Sequence, residues 1–153
     1  MFNIKFKALY SNECYRLANR IERIFSFVLA FVSTSSVATW AFWNKYPLVW
    51  AWIVGISQIL TIAKNYFPFI KNEKDFLEMS FEFEILYIEY EKLWFDNEYE
   101  VIEKENAEFI FYKLREREIE IEKIYKQSQC PKIKHIMARV YKEVETAINL
   151  NFF

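Results

Sequence analysis

Residues 24–44 read IFSFVLAFVSTSSVATWAFWN, the longest uncharged run in the chain, and the fold depends on how it is read. As a helix these 21 residues span roughly 31 Å at about 1.5 Å per residue. A second run, Tyr46–Ala63, follows at once and spans roughly 27 Å. A hydrocarbon core is about 30 Å thick. Only Asn44-Lys45-Tyr46 separates the runs, and Pro47 suits the first turn of a helix because its missing donor costs nothing there. The pattern predicts a transmembrane hairpin over 24–64, with spans at 24–43 and 47–63. A signal peptide is the competing reading, but the first run is too long and a second follows directly.

Composition limits the rest. Gly55 is the only glycine among 153 residues, and there are three prolines. A sheet protein of this size needs many tight turns, which favour Gly, so the class is all-α. The net charge of −1 hides a split. Residues 1–71 hold eight Lys/Arg against two acids, whereas 73–126 hold eight against seventeen, a local balance of −9. Cys14 and Cys130 are far apart and match no zinc or disulfide framework spacing. They read as two reduced thiols.

The flanks orient the hairpin. Lys5, Lys7, Arg16, Arg20 and Arg23 precede the first span, and Lys64, Lys71 and Lys74 follow the second. The turn has Lys45 alone. The positive-inside rule then places both termini in the cytoplasm of a multi-pass inner (plasma) membrane protein. Arg16, Arg20, Arg23, Trp40, Trp43, Trp50, Trp52 and Lys64 become the expected interface residues. Residues 1–23 read as a short basic amphipathic helix contacting anionic lipid.

Within the spans, Ser26, Ala30, Ser33 and Val37 share a face with Ser36 nearby, and Ala51, Gly55, Gln58 and Ile62 share another with Thr61 at its edge. Ala51-x-x-x-Gly55 has the spacing that lets helices approach closely. Two readings stay open for these faces: helix packing, or the polar lining of a pore built from several copies. Gln58 needs a partner in either case.

Residues 65–153 form the expected cytoplasmic helical domain. Met79, Phe83, Leu86, Tyr87, Tyr90, Leu93 and Trp94 recur at helical spacing among acids. Asp96-Asn97 offers a point of interruption, and the apolar stripe continues to about Lys126. Gln127–Pro131 is the clearest break, followed by a last helix over roughly 132–150. The long helix must pack against that last helix, against other subunits, or both.

Chemistry is sparse. His135 is the only histidine, so no metal site or nucleophile–base pair is built around imidazoles, and no glycine-rich loop cradles phosphate. No catalytic residue, metal or cofactor is expected, and the chain reads as a non-enzyme. The acidic middle argues against nucleic acid. Lys132, Lys134, Arg139 and Lys142 leave room for a small anionic messenger or lipid headgroups.

The order of basic Arg16–Arg23 approach, spans 24–43 and 47–63, and aromatic-acidic helix after Pro68 resembles the SLATT family of prokaryotic two-transmembrane proteins. The resemblance covers about Tyr10 to Lys126. It implies a homo-oligomeric effector that permeabilises the inner membrane in antiphage defence, controlled by a partner protein or ligand acting on the helical part. The alternatives are a non-conducting membrane scaffold that recruits a soluble partner through the acidic aromatic helices, and a holin-like toxin.

Overall fold

The computed structural model describes residues 1–38, 47–66, 71–126, 128 and 130–152, apart from the side chains of 32–38, 47, 49, 50, 53, 60, 63–66, 151 and 152. Five helices account for nearly all of them: α1 (Phe2–Ala38), α2 (Pro47–Tyr66), α3 (Glu73–Glu98), α4 (Lys104–Ile124) and α5 (Lys134–Phe152). Scarcity of Gly and Pro makes this possible, since those two residues interrupt helices most strongly. Pro47 stands at the first position of α2, where it does no harm.

Among the described residues no helix is long and apolar enough to cross a membrane. This corrects the expected integral membrane fold with its transmembrane hairpin. The multi-pass inner-membrane placement and the pore and channel reading fall with it. The physical reason is length free of charge. The described part of α1 is charged as far as Arg23 and has 15 uncharged residues after it, to Ala38, or roughly 22 Å. Helix α2 offers 17 from Pro47 to Ala63, roughly 26 Å, with Gln58 in its second half. Residues 39–43 of the expected first span lie outside the described residues. The N-terminal helix is also not short: α1 continues unbroken for 37 residues.

The chain divides into two compact units, one of Met1–Tyr15 with Lys74–Phe153, the other of Arg16–Glu73. In the first, the start of α1 is the shared partner. Ile4 and Ala8 of α1 are buried together with Phe83, Leu86, Tyr87 and Tyr90 of α3 and Leu114 and Ile121 of α4. Helix α5 adds Val140 and Val144, one turn apart and both fully buried. Its Tyr141 ring lies 5.0 Å from that of Phe2.

Charge pairing crosses the same contacts. Lys5 bonds Glu84 at 2.6 Å, Lys7 bonds Glu118 at 2.7 Å and also Glu122, and Arg139 pairs with Glu13. Arg117 of α4 holds Glu89 of α3 at 2.7 and 2.9 Å. The basic start and acidic middle of the chain therefore neutralise each other within one unit. Lys5 and Lys7, expected as topology signals, are occupied by carboxylates.

The α3–α4 turn closes without glycine. Val101 N–H donates to Asp96 O at 2.9 Å and Glu100 N–H to Asn97 O at 3.3 Å, the paired bonds of a Schellman motif. Glu100 occupies its left-handed position, with φ 54°.

The second unit differs in kind. Its described apolar side chains mostly face outward: Phe27 is 72% exposed, Phe31 66%, Leu48 77% and Trp52 71%. Ser57 is buried and donates to Val54 O at 2.8 Å.

Candidate functional site

The first unit contains a cavity of about 600 Å3 bounded by α1, α3, α4 and the α4–α5 link. Phe6, Met79, Phe83 and Met137 supply apolar lining, and Tyr10, Ser11 and Cys130 stand at one side. Lys7, Lys123, Lys126 and Lys132 bring positive charge, against Glu122 as the one lining acid. Lys7 is committed to Glu118 and Glu122. Lys123, Lys126 and Lys132 make no ion pair with another described residue and extend into solvent. Lys123 and Lys126 belong to the acidic stretch 73–126, and with Lys132 they make a local reversal of its charge beside an apolar lining.

Burial pulls the ammonium of Lys7 toward deprotonation, but its two carboxylate partners prevail and raise its pKa. Glu118 shows the converse. Burial favours its neutral form, yet Lys7 and Arg115 hold the carboxyl below its ordinary value. Arg115 bonds it at 2.6 Å. This buried ion pair fixes α1 on α4 along one wall of the cavity.

A second groove of about 620 Å3 lies between α3 and α4. Its charges come in both signs, Lys92, Lys113 and Arg117 beside Glu89, Asp96, Glu116 and Glu120, and Arg117 is already tied to Glu89 and Glu82. It has no comparable excess of charge to offer a ligand.

The far wall of the first cavity carries a polar cluster. Tyr10 hydroxyl donates to Pro131 O and accepts from Ile133 N–H at 2.9 Å, so one α1 side chain anchors the approach to α5. Ser128, in the same link, is buried and donates to Asp75 of α3. Beside Tyr10, Cys14 lies one turn further along α1 and Cys130 directly precedes Pro131, whose carbonyl Tyr10 holds. Cys14 is fully buried and Cys130 partly exposed. The contact with Cys130, and then burial, push the Cys14 thiol up, so it keeps its proton. The same contact lowers Cys130, with help from Ser11 and the backbone amide, against the opposing effect of burial.

The residues expected to form a functional membrane face fare differently. Ala51 and Gly55 line a shallow hollow of about 240 Å3 with Leu48, Trp52, Ile56 and Ile59, all from α2 itself. A Cβ built on Gly55 meets nothing within 4 Å. Gln58 is exposed, and Thr61 donates to the Ser57 carbonyl of its own helix at 2.8 Å. Ser33 and Ser36 lie on α1, but their side chains fall outside the described residues, as do those of Trp50 and Lys64 and the whole of Trp40 and Trp43. Arg16, Arg20 and Arg23 are exposed, Arg23 donating to Asn19 at 2.6 Å.

Sequence reading missed the cavity and the thiol pair because both depend on which helices meet. The one available signal was Cys130 beside Pro131 at the predicted break, a position where a link folds back. Among the described residues no group of three or more His, Cys, Asp or Glu is placed to hold a metal. Comparison with known protein families, curated proteins and solved structures yields no match. The SLATT likeness therefore rests on layout alone, and that layout required the spans corrected above.

Proposed function

We propose that the first unit is a binding module for a small organic anion with an apolar or aromatic body, and that it regulates rather than turns over what it binds. The observation that carries this reading is the coincidence of an apolar cavity of about 600 Å3 with three lysines at its mouth that no described carboxylate neutralises. Small-molecule sites are commonly apolar clefts of about 300–1,000 Å3 with a few oriented polar groups. This reading takes up the small anionic messenger expected from Lys132, Lys134, Arg139 and Lys142; of these Lys132 lines the cavity, beside Lys123 and Lys126.

The test uses 1-anilinonaphthalene-8-sulfonate, an aromatic anion whose fluorescence rises in apolar surroundings. We expect saturable one-site binding that weakens about tenfold for each of Lys126→Ala and Lys132→Ala, in keeping with about 1.5 kcal/mol for a charge-assisted contact. The uncharged analogue N-phenyl-1-naphthylamine should respond to neither substitution. Equal binding of both dyes to wild type and a double variant sinks the proposal.

A second reading concerns the other unit: self-association through α2. It is supported by open space over Gly55 and by the exposed Leu48, Trp52, Ile56 and Ile59 around it. Sedimentation velocity should show an assembly of several chains that Ile59→Ala weakens. A single-chain species at every concentration would dispose of this reading.

A further inference from the structure

We propose that Cys14 and Cys130 form a reversible disulfide when the chain meets a hydroperoxide, Cys130 acting as the attacking thiolate and Cys14 as the resolving thiol. The pair lies far apart in sequence and is brought together by Tyr10, which binds both Pro131 and Ile133 to α1. Cys130 faces the cavity, so a small oxidant can reach it. Cys14 is fully buried and accessible only through its partner. That division of exposure fixes the order of events.

Thiolates, not thiols, attack peroxides. Of the two thiols Cys130 is the one shifted toward its thiolate, chiefly by the neighbouring Cys14 and against the effect of burial. The Cys130 thiolate attacks one peroxide oxygen, the O–O bond breaks, and the departing alkoxide takes a proton and leaves as the alcohol (or as water from hydrogen peroxide). Cys130 is then a sulfenic acid. Cys14 gives up its proton to the departing hydroxyl and attacks the Cys130 sulfur, so that the S–S bond forms as the S–O bond breaks and water leaves. Two thiols lose two electrons in all, and the peroxide gains them. A dithiol reductant restores the pair by exchange.

The bond would tie α1 to the link before α5 and close a loop of more than one hundred residues. A loop of that size restricts the unfolded chain strongly, and a rise in melting temperature on the order of 10 °C is expected. This inference stands whether or not the cavity binds an anion, because the test needs only the protein and peroxide.

The full reduced chain is treated with hydrogen peroxide, digested without reductant and analysed by mass spectrometry. A linked pair of peptides containing Cys14 and Cys130, a raised melting temperature, and reversal of both by dithiothreitol are expected. In Cys14→Ala, dimedone should trap sulfenic acid on Cys130, whereas in Cys130→Ala it should leave Cys14 unlabelled. The proposal is overturned if peroxide in excess leaves the wild-type thiols unlinked, or if it links one chain to another instead. The wild-type digest decides alone should either variant fail to fold.

Discussion

The two units of this chain use apolar residues in opposite ways. In the unit of Met1–Tyr15 and Lys74–Phe153, Leu86, Val140 and Val144 are fully buried, and opposite charges on α1, α3, α4 and α5 meet in pairs. In the unit of Arg16–Glu73, large side chains of α1 and α2 face outward, as Phe27, Phe31, Leu48, Trp52 and Ile59 do. Hydropathy is higher in the second, yet burial is greater in the first. An apolar helix becomes part of a core only where other helices cover it, and the amphipathic helices of the acidic region cover one another because each has a face to spare.

Truncation gives the largest test of that contrast. Leu86→Ala should cost about 3 kcal/mol of unfolding free energy, the transfer loss plus an unfilled cavity. Ile59→Ala, on an exposed side chain of α2, should change thermal stability by less than about 0.5 kcal/mol. Chemical denaturation of both variants at low protein concentration checks the difference. A comparable loss at the two positions would mean that α2 is covered in the folded chain and would erase the contrast.

The charge network sharpens the comparison next. Glu118 is buried between Lys7 and Arg115, so Glu118→Gln should destabilise the first unit by about 2 kcal/mol at neutral pH. The sign of the pH dependence follows from its depressed pKa in the folded state. Such a carboxylate stabilises fully above its unfolded value, about pH 4, and loses that contribution as pH falls through the lower folded value. The gap between wild type and Glu118→Gln should therefore close below about pH 4. A gap that persists unchanged into stronger acid would show that the carboxylate's charge is not what matters.

Helical class was legible from the scarcity of glycine and from the spacing of Phe83, Leu86, Tyr87 and Tyr90, all now buried. The expected break at Gln127–Pro131 falls between Ile124, the last residue of α4, and Lys134, the first of α5. What periodicity does not carry is the identity of the partner. Lys5 and Lys7 have the same composition signal whether they meet lipid headgroups or Glu84 and Glu118, and only the packing of α1 distinguishes the two. For the same reason Cys14 and Cys130 read as two separate reduced thiols, and the sequence groups Lys132 with Lys134, Arg139 and Lys142 rather than with Lys123 and Lys126. The uncharged run at 24–44 misled through its length, because charge-free sequence and charge-free described helix are different quantities.

The smallest effects expected concern the one glycine, which stands where the backbone does not need it. Gly55 lies inside α2 with open space over it, so Gly55→Ala should stabilise by about 1 kcal/mol through the unfolded chain's lost freedom. Glu100 has the reverse problem. It closes α3 in the left-handed region at φ 54°, where a side chain costs about 1–2 kcal/mol, and Glu100→Gly should recover much of that after glycine's own entropy is counted. The two substitutions lie in different units and share no partner, so their effects should add. Calorimetry of both single variants and the pair measures this. A destabilising Gly55→Ala would be the informative failure: it would mean that another helix approaches α2 closely at that point, as the self-association reading requires of a second copy.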